Sequence, residues 1–170
     1  KKKVFIHADR VQEITDAIYF FDDYDFELVL VGAYDAWLLA DLLKDRSIPV
    51  ILRRVHELPM NQDDDVDLPY KLPKILADKG ILVSLENSGS MEAMGTRNLP
   101  FYAGTAAAYG VDKEAALAMI TLNTAKILGI EKLVGSIEEG KYATLFISSG
   151  DALDMRGNQV TLAFIQGKQI

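Results

Sequence analysis

Cysteine is absent from this 170-residue chain. Its absence excludes a disulfide scaffold, a thiolate zinc site and a thiol nucleophile, and it leaves the redox compartment open. Histidine is almost as scarce, with two in the whole sequence, which leaves little to serve as the base of a serine nucleophile. Positive charge is also in short supply. Eighteen Lys and Arg face 25 Asp and Glu, for a net charge of −7, so the surface that neutralises phosphates is missing, and neither nucleic acid nor an anionic membrane is expected as a partner. No apolar run approaches the roughly 20 residues of a membrane-spanning helix. No signal peptide precedes the first strand, because Lys1-Lys2-Lys3 leads straight into Val4-Phe5-Ile6; a truncated or processed N-terminus is expected. The chain reads as soluble, cytoplasmic or periplasmic/secreted. Against these absences stands ordinary globular material. At 49% hydrophobic and 25% charged, the chain can build a sizeable core.

Four short apolar runs recur, at Val4 to Ile6, Leu28 to Val31, Val50 to Leu52 and Ile81 to Leu85, each of a length suited to a buried strand. Between the first two, Val11, Ile14, Ala17, Ile18 and Phe21 fall at helical spacing, ended by Asp22-Asp23-Tyr24-Asp25. Ala36, Leu39, Ala40 and Leu43 repeat the pattern before Pro49 opens the third run. A long polar stretch reaches Leu68-Pro69, and a helix is expected from Leu72 to Asp78. Beyond the fourth run, Gly89 and Gly95 mark a loop, Pro100 opens a helix through Tyr109, and Asp112 caps another through Ile120. The series is four βα units, which implies parallel strands. Such a series fits a small doubly wound sheet or half of an eight-stranded barrel, and periodicity alone does not choose.

The last third carries a more specific signature. Asn123-Thr124-Ala125-Lys126-Ile127-Leu128-Gly129 reads as a short helix stopped by glycine. Val134-Gly135-Ser136-Ile137-Glu138-Glu139-Gly140-Lys141 then feeds the strand Ala143 to Ile147, and Val160 to Ile165 ends in Gly167-Lys168. In that order these features resemble the tail of amidohydrolase-superfamily enzymes, within which the imidazolonepropionase-like group is the nearest. The resemblance implies the C-terminal half of a (β/α)8 barrel, residues 1–133 supplying strands five to eight, followed by strands of a small β-domain at 134–170. An isolated half barrel leaves two parallel edges unpaired. The N-terminal half in another chain, self-association into a homo-oligomer, or a reclosed sheet is therefore expected. An independent flavodoxin-like domain with an appended hairpin is the structural alternative.

In parallel α/β folds, ligands gather at the C-terminal ends of strands. By the resemblance, His7 in His7-Ala8-Asp9-Arg10 stands where strand five of metal-dependent amidohydrolases and deaminases presents a ligand. Other positions depart from the family. Gly32 in Val31-Gly32-Ala33 replaces the strand-six histidine, Ser88 replaces the strand-eight aspartate that acts as general base, and Arg10 stands where deaminase relatives carry a glutamate. Glu86 is the candidate for a displaced base. Arg54, His56, Asn87 and Ser88 are candidates for substrate binding, since guanidinium groups near a strand end suit a carboxylate, although a structural ion-pair network explains Arg53, Arg54 and Glu57 equally well. His56 is a second metal candidate. Asp63-Asp64-Asp65-Val66-Asp67 lacks the glycine and terminal glutamate of an EF-hand and reads as a solvated loop. Ser88-Gly89-Ser90 lacks the spacing of a nucleophile elbow, and Tyr34 and Trp37 read as core.

The function implied is the C-terminal portion of a metal-dependent hydrolase acting on amide or cyclic amide C–N bonds of small molecules. Its metal site is degenerate, and a divalent metal, zinc foremost, is expected in the full-length protein even if this fragment holds none. The alternative is an inactive amidohydrolase-fold binding or interaction module.

Overall fold

The computed structural model describes residues 1–88 and 92–170. The expectations placed on Gly89 and Ser90 lie outside the described residues. Strands β1 (Lys2–Ala8), β2 (Phe26–Gly32), β3 (Val50–Leu52) and β4 (Val83–Leu85) form one parallel sheet in the order β1-β2-β3-β4. That order settles the choice periodicity left open. A doubly wound sheet reverses direction at a switch point, as in order 2-1-3-4, whereas strands laid side by side in chain order are a segment of a barrel wall. The flavodoxin-like alternative is thereby overturned, and the sheet is half a (β/α)8 barrel.

Because side chains alternate across a strand, the register assigns each residue to a face. Val4, Leu28 and their neighbours Ile6, Leu30, Val50, Leu52, Val83 and Leu85 share the convex face. There all but Val4 join the core formed with Ile14 and Ile18 of α1 (Val11–Phe21), Leu43 of α2 (Ala40–Asp45) and Leu72 and Leu76 of α3 (Leu68–Asp78). Lys3, Phe5, His7, Val29, Val31, Ile51 and Ser84 take the concave face, the interior of a complete barrel.

Two helices differ from expectation. α3 begins at Leu68 rather than Leu72, because Pro69 sits in the first turn where its missing N–H is harmless, and burial of Leu68, Leu72 and Leu76 carries the helix past Pro73. The segment before α2 is a 3-10 helix, Tyr34–Leu39, entered through Ala33 at φ 53. Further on lie α4 (Glu92–Gly95), α5 (Leu99–Ala108), α6 (Lys113–Met119), whose N-cap Asp112 accepts from the Ala115 N–H at 3.0 Å, and α7 (Leu122–Leu128).

The seven residues of α7 lie on the concave side. Asn123 Nδ2 donates to the Val83 carbonyl at 2.9 Å, and Thr124 shares a 2.6 Å hydrogen bond with Ser84, which is fully buried. At its other end, Lys3 Nζ on β1 donates to the carbonyls of Lys126 and Ile127 at 3.1 and 2.6 Å, a cation on the negative end of a helix. The helix thus bridges the two outer strands. The β3–β4 ladder uses the carbonyl of Leu82 and the N–H of Glu86, so the Val83 carbonyl points to the open edge and Asn123 satisfies it. Among the described residues β1 pairs only with β2.

The tail forms a separate antiparallel sheet of β5 (Leu145–Ser148), β6 (Val160–Ile165) and β7 (Lys168–Gln169). It is tied to the barrel segment through Leu153, which belongs to the main core. A Cβ on Gly104 of α5 would lie 2.2 Å from the Leu153 carbonyl oxygen, so only glycine permits that approach.

Candidate functional site

The C-terminal ends of the strands bring together residues from four segments. His7 is the penultimate residue of β1, on the concave face and exposed. Two residues on, Asp9 turns back over the end of β2. Its Oδ1 accepts from the Tyr34 N–H at 3.3 Å, and its Oδ2 pairs with Arg53 at 3.1 Å. Gly32 lies beneath at φ 87, and a Cβ there would stand 2.8 Å from Asp9 Oδ1. The strand-six position therefore carries no side chain, and a neighbour's carboxylate fills the space.

Arg53, directly after β3, completes the cluster. Its Nε and Nη2 donate to Glu57 Oε2 at 3.1 and 2.7 Å, while Arg54 Nη2 donates to Glu57 Oε1 at 2.9 Å. Burial opposes the Arg53 charge, and the hydrogen bonds and charges of Glu57 and Asp9 outweigh it, raising its pKa. Two guanidiniums face two carboxylates, so the cluster is balanced internally.

The polar stretch after β3 is fastened across the strand ends. Tyr34 Oη donates to Asp64 Oδ2 at 2.7 Å, Asn61 Nδ2 donates to the same oxygen at 2.9 Å, and Arg10 donates to Asn61 Oδ1. Asp64, in the largely exposed segment 63–67, is held below its ordinary pKa by the Tyr34 hydroxyl. Burial, with the Asp64 hydrogen bond, pushes the Tyr34 phenol up to about 12. Asp65 pairs with Lys71. Trp37 packs against the core, as expected, and Tyr34 is buried within it.

His56 lies elsewhere. Its Nε2 is 2.6 Å from Thr105 Oγ1 of α5, edge-on to Tyr102 at 4.7 Å and to Tyr70 at 6.2 Å. Burial and the Arg54 charge lower its pKa. Among the residues following β4, Ser88 Oγ donates to Glu86 Oε1 at 2.6 Å and Tyr102 Oη donates to Asn87 Oδ1 at 2.8 Å. Sequence reasoning placed weight on the strand-end residues and missed Asp9, Thr105 and Tyr102. The position of Asp9 immediately past β1 was the available signal for the first.

The described side chains do not make up a metal site by themselves. No group of three or more His, Cys, Asp or Glu that can hold an ion exists among the described residues, Gly32 offers no donor, and Asp9 is committed to Arg53.

Residues 71–170 match the model of the amidohydrolase family. The chain belongs to that family. Solved structures agree. An amidohydrolase from Thermotoga maritima MSB8 is 30% identical with a TM-score of 0.85, over 99% of this chain and 43% of that one. A prolidase complexed with N-methylphosphonate-L-proline is 19% identical with a TM-score of 0.66, over 98% of this chain and 44% of that one. An adenosine deaminase from Xanthomonas campestris with bound zinc is 19% identical with a TM-score of 0.60, over 98% and 45%. The chain thus spans less than half the length of these relatives. No curated protein matches. Among the described residues no helix is long and apolar enough to cross a membrane.

Proposed function

We propose that this amidohydrolase chain is the C-terminal half of a hydrolase acting on amide or cyclic amide C–N bonds of small molecules, and that Glu86 is the proton-accepting carboxylate this half contributes. The pairing of Ser88 with Glu86 carries the reading. Where the resemblance calls for an aspartate base, the chain has a hydroxyl that cannot accept the proton unaided, bonded at 2.6 Å to a carboxylate that can. Glu86 follows β4 at the barrel mouth, and Tyr102 holds Asn87 beside it. Residues 134–170 serve as part of the small β-domain. The strands that complete the barrel come from the N-terminal half, in the same polypeptide or in a partner chain. A divalent metal, zinc foremost, would have to draw most of its ligands from that half, with His7 as the imidazole this half would offer it.

The test is hydrolysis of a panel of N-acyl amino acids, dipeptides and cyclic amides by the completed protein. Glu86→Gln is expected to lower kcat by about 100-fold or more, the usual scale of a lost general base, with KM little changed; unchanged turnover refutes the role. A second reading, a binding module without catalysis, is favoured by the Asp9 carboxylate over Gly32, which leaves no donor at the strand-six position. Metal analysis separates the two: stoichiometric metal lost on His7→Ala supports the hydrolase, and its absence supports the module.

A further inference from the structure

We infer that Asp9, Arg53 and Glu57 form an ion-pair knot that cross-links the ends of β1, β2 and β3 without a metal, and that position 32 is closed to metal ligation in this chain. A metal ion joins strand ends by drawing side chains from several of them to one charge. Here a guanidinium occupies that central role. Asp9 comes from the end of β1 and lies against Gly32 at the end of β2, while Arg53 follows β3. Glu57, four residues further along the loop, receives two donors from Arg53. Backbone hydrogen bonds stitch the same three ends, Ala33 N–H to the Ala8 carbonyl at 2.9 Å and Arg53 N–H to the Gly32 carbonyl at 3.1 Å.

Three features make the arrangement exclusive. The backbone at Gly32, at φ 87, strains any residue with a Cβ. The volume into which a side chain would grow is filled by Asp9, fixed from two sides by Tyr34 and Arg53. The Asp9 and Glu57 carboxylates are already engaged by Arg53 and are not free to join a ligand set at position 32. The side chains of Arg53, Asp9 and Glu57 are 26%, 33% and 20% exposed, so removing one partner leaves the other charge partly buried. The knot therefore fixes the start of the 53–67 loop over the strand ends.

The experiment measures zinc content and the rate of proteolytic cleavage within 53–67, both on the completed protein. Gly32→His is expected to bind no additional zinc and to be cleaved faster. Arg53→Met and Asp9→Asn are each expected to raise the cleavage rate by about tenfold, since cleavage follows the open population, and the double variant no further than either single one. EDTA is expected to leave the wild-type rate unchanged. The inference is overturned by an added zinc equivalent in Gly32→His, by EDTA matching the effect of Arg53→Met, or by multiplying effects in the double variant. Should Gly32→His fail to fold, the Asp9/Arg53 set decides the matter.

Discussion

Replacing Gly32 by alanine separates backbone strain from side-chain crowding, because the chain supplies its own control. Gly32 and Gly80 have nearly the same dihedral, φ 87 and φ 80. An alanine at either costs about 1–2 kcal/mol from the left-handed backbone alone. Nothing lies within 4 Å of a Cβ on Gly80, whereas on Gly32 it meets Asp9 Oδ1 at 2.8 Å and Cγ at 3.3 Å. The carboxylate must retreat by several tenths of an ångström to reach ordinary contact. Its bonds to Tyr34 N–H and Arg53, already at 3.3 and 3.1 Å, cannot both stretch that far. Losing a hydrogen bond to a charged group costs about 1.5–3 kcal/mol; with Asp9 a third exposed, solvent screening reduces this to about 1 kcal/mol. Gly32→Ala should therefore destabilise by about 2–3 kcal/mol and Gly80→Ala by about 1 kcal/mol less. Urea denaturation of both variants, with the slope m unchanged, measures the difference. Equal losses would refute the claim that Asp9 occupies the position.

Three further outcomes follow from the same contacts. Tyr34→Phe removes the donor to Asp64 and should cost about 1 kcal/mol; in the wild type one phenol should ionise near pH 12 by ultraviolet titration, with stability present below pH 10 and falling above it, as a raised phenol pKa requires. His56 has a lowered folded pKa, so the unfolded chain binds its proton first: stability should be level above neutral pH and fall as pH drops below the ordinary 6.5. His56→Gln should flatten that portion of the melting profile, and an unaltered profile would count against burial beside the Arg54 charge as its origin. Asn123→Ala leaves the Val83 carbonyl unpartnered and should cost about 1–3 kcal/mol by chemical denaturation.

The elements that periodicity specified are those whose apolar spacing is regular, such as Val11–Phe21, found with the bounds its hydrophobic face implies. Strand order is a different kind of information. Nothing in the spacing of Val4, Leu28, Val50 and Ile81 says which run lies beside which, and only the ordered motif from Asn123 to Lys168 pointed to a barrel segment. At the mouth, His7, Arg53 and Glu86 stand out in the sequence because they directly follow apolar runs. Asp9 was not, since its role depends on a positive φ twenty-three residues away at Gly32, which pattern reading does not supply. The 3-10 turn at Tyr34–Leu39 was hidden for the same reason, being fixed by Ala33 at φ 53 and by the Asp35 carboxylate accepting from Val11 N–H at 3.1 Å.

The two ends of this half barrel are unequally finished, and that asymmetry bears on where chemistry can occur. At the N-terminal end α7 crosses from Ser84 and Val83 to Lys3, so part of the concave face is covered by the chain itself and Val29 and Ser84 are buried. At the C-terminal end His7 remains exposed, and Phe5 beside it is 40% exposed. An apolar ring and a free imidazole on the inner wall of a barrel are buried only when the facing strands are present. Under the proposed function, a completing half would close over Phe5 and His7, while the Asp9–Arg53–Glu57 ion pairs would keep the neighbouring strand ends fixed. On that proposal, catalytic capacity would depend on which residues the other half presents opposite His7 and Glu86.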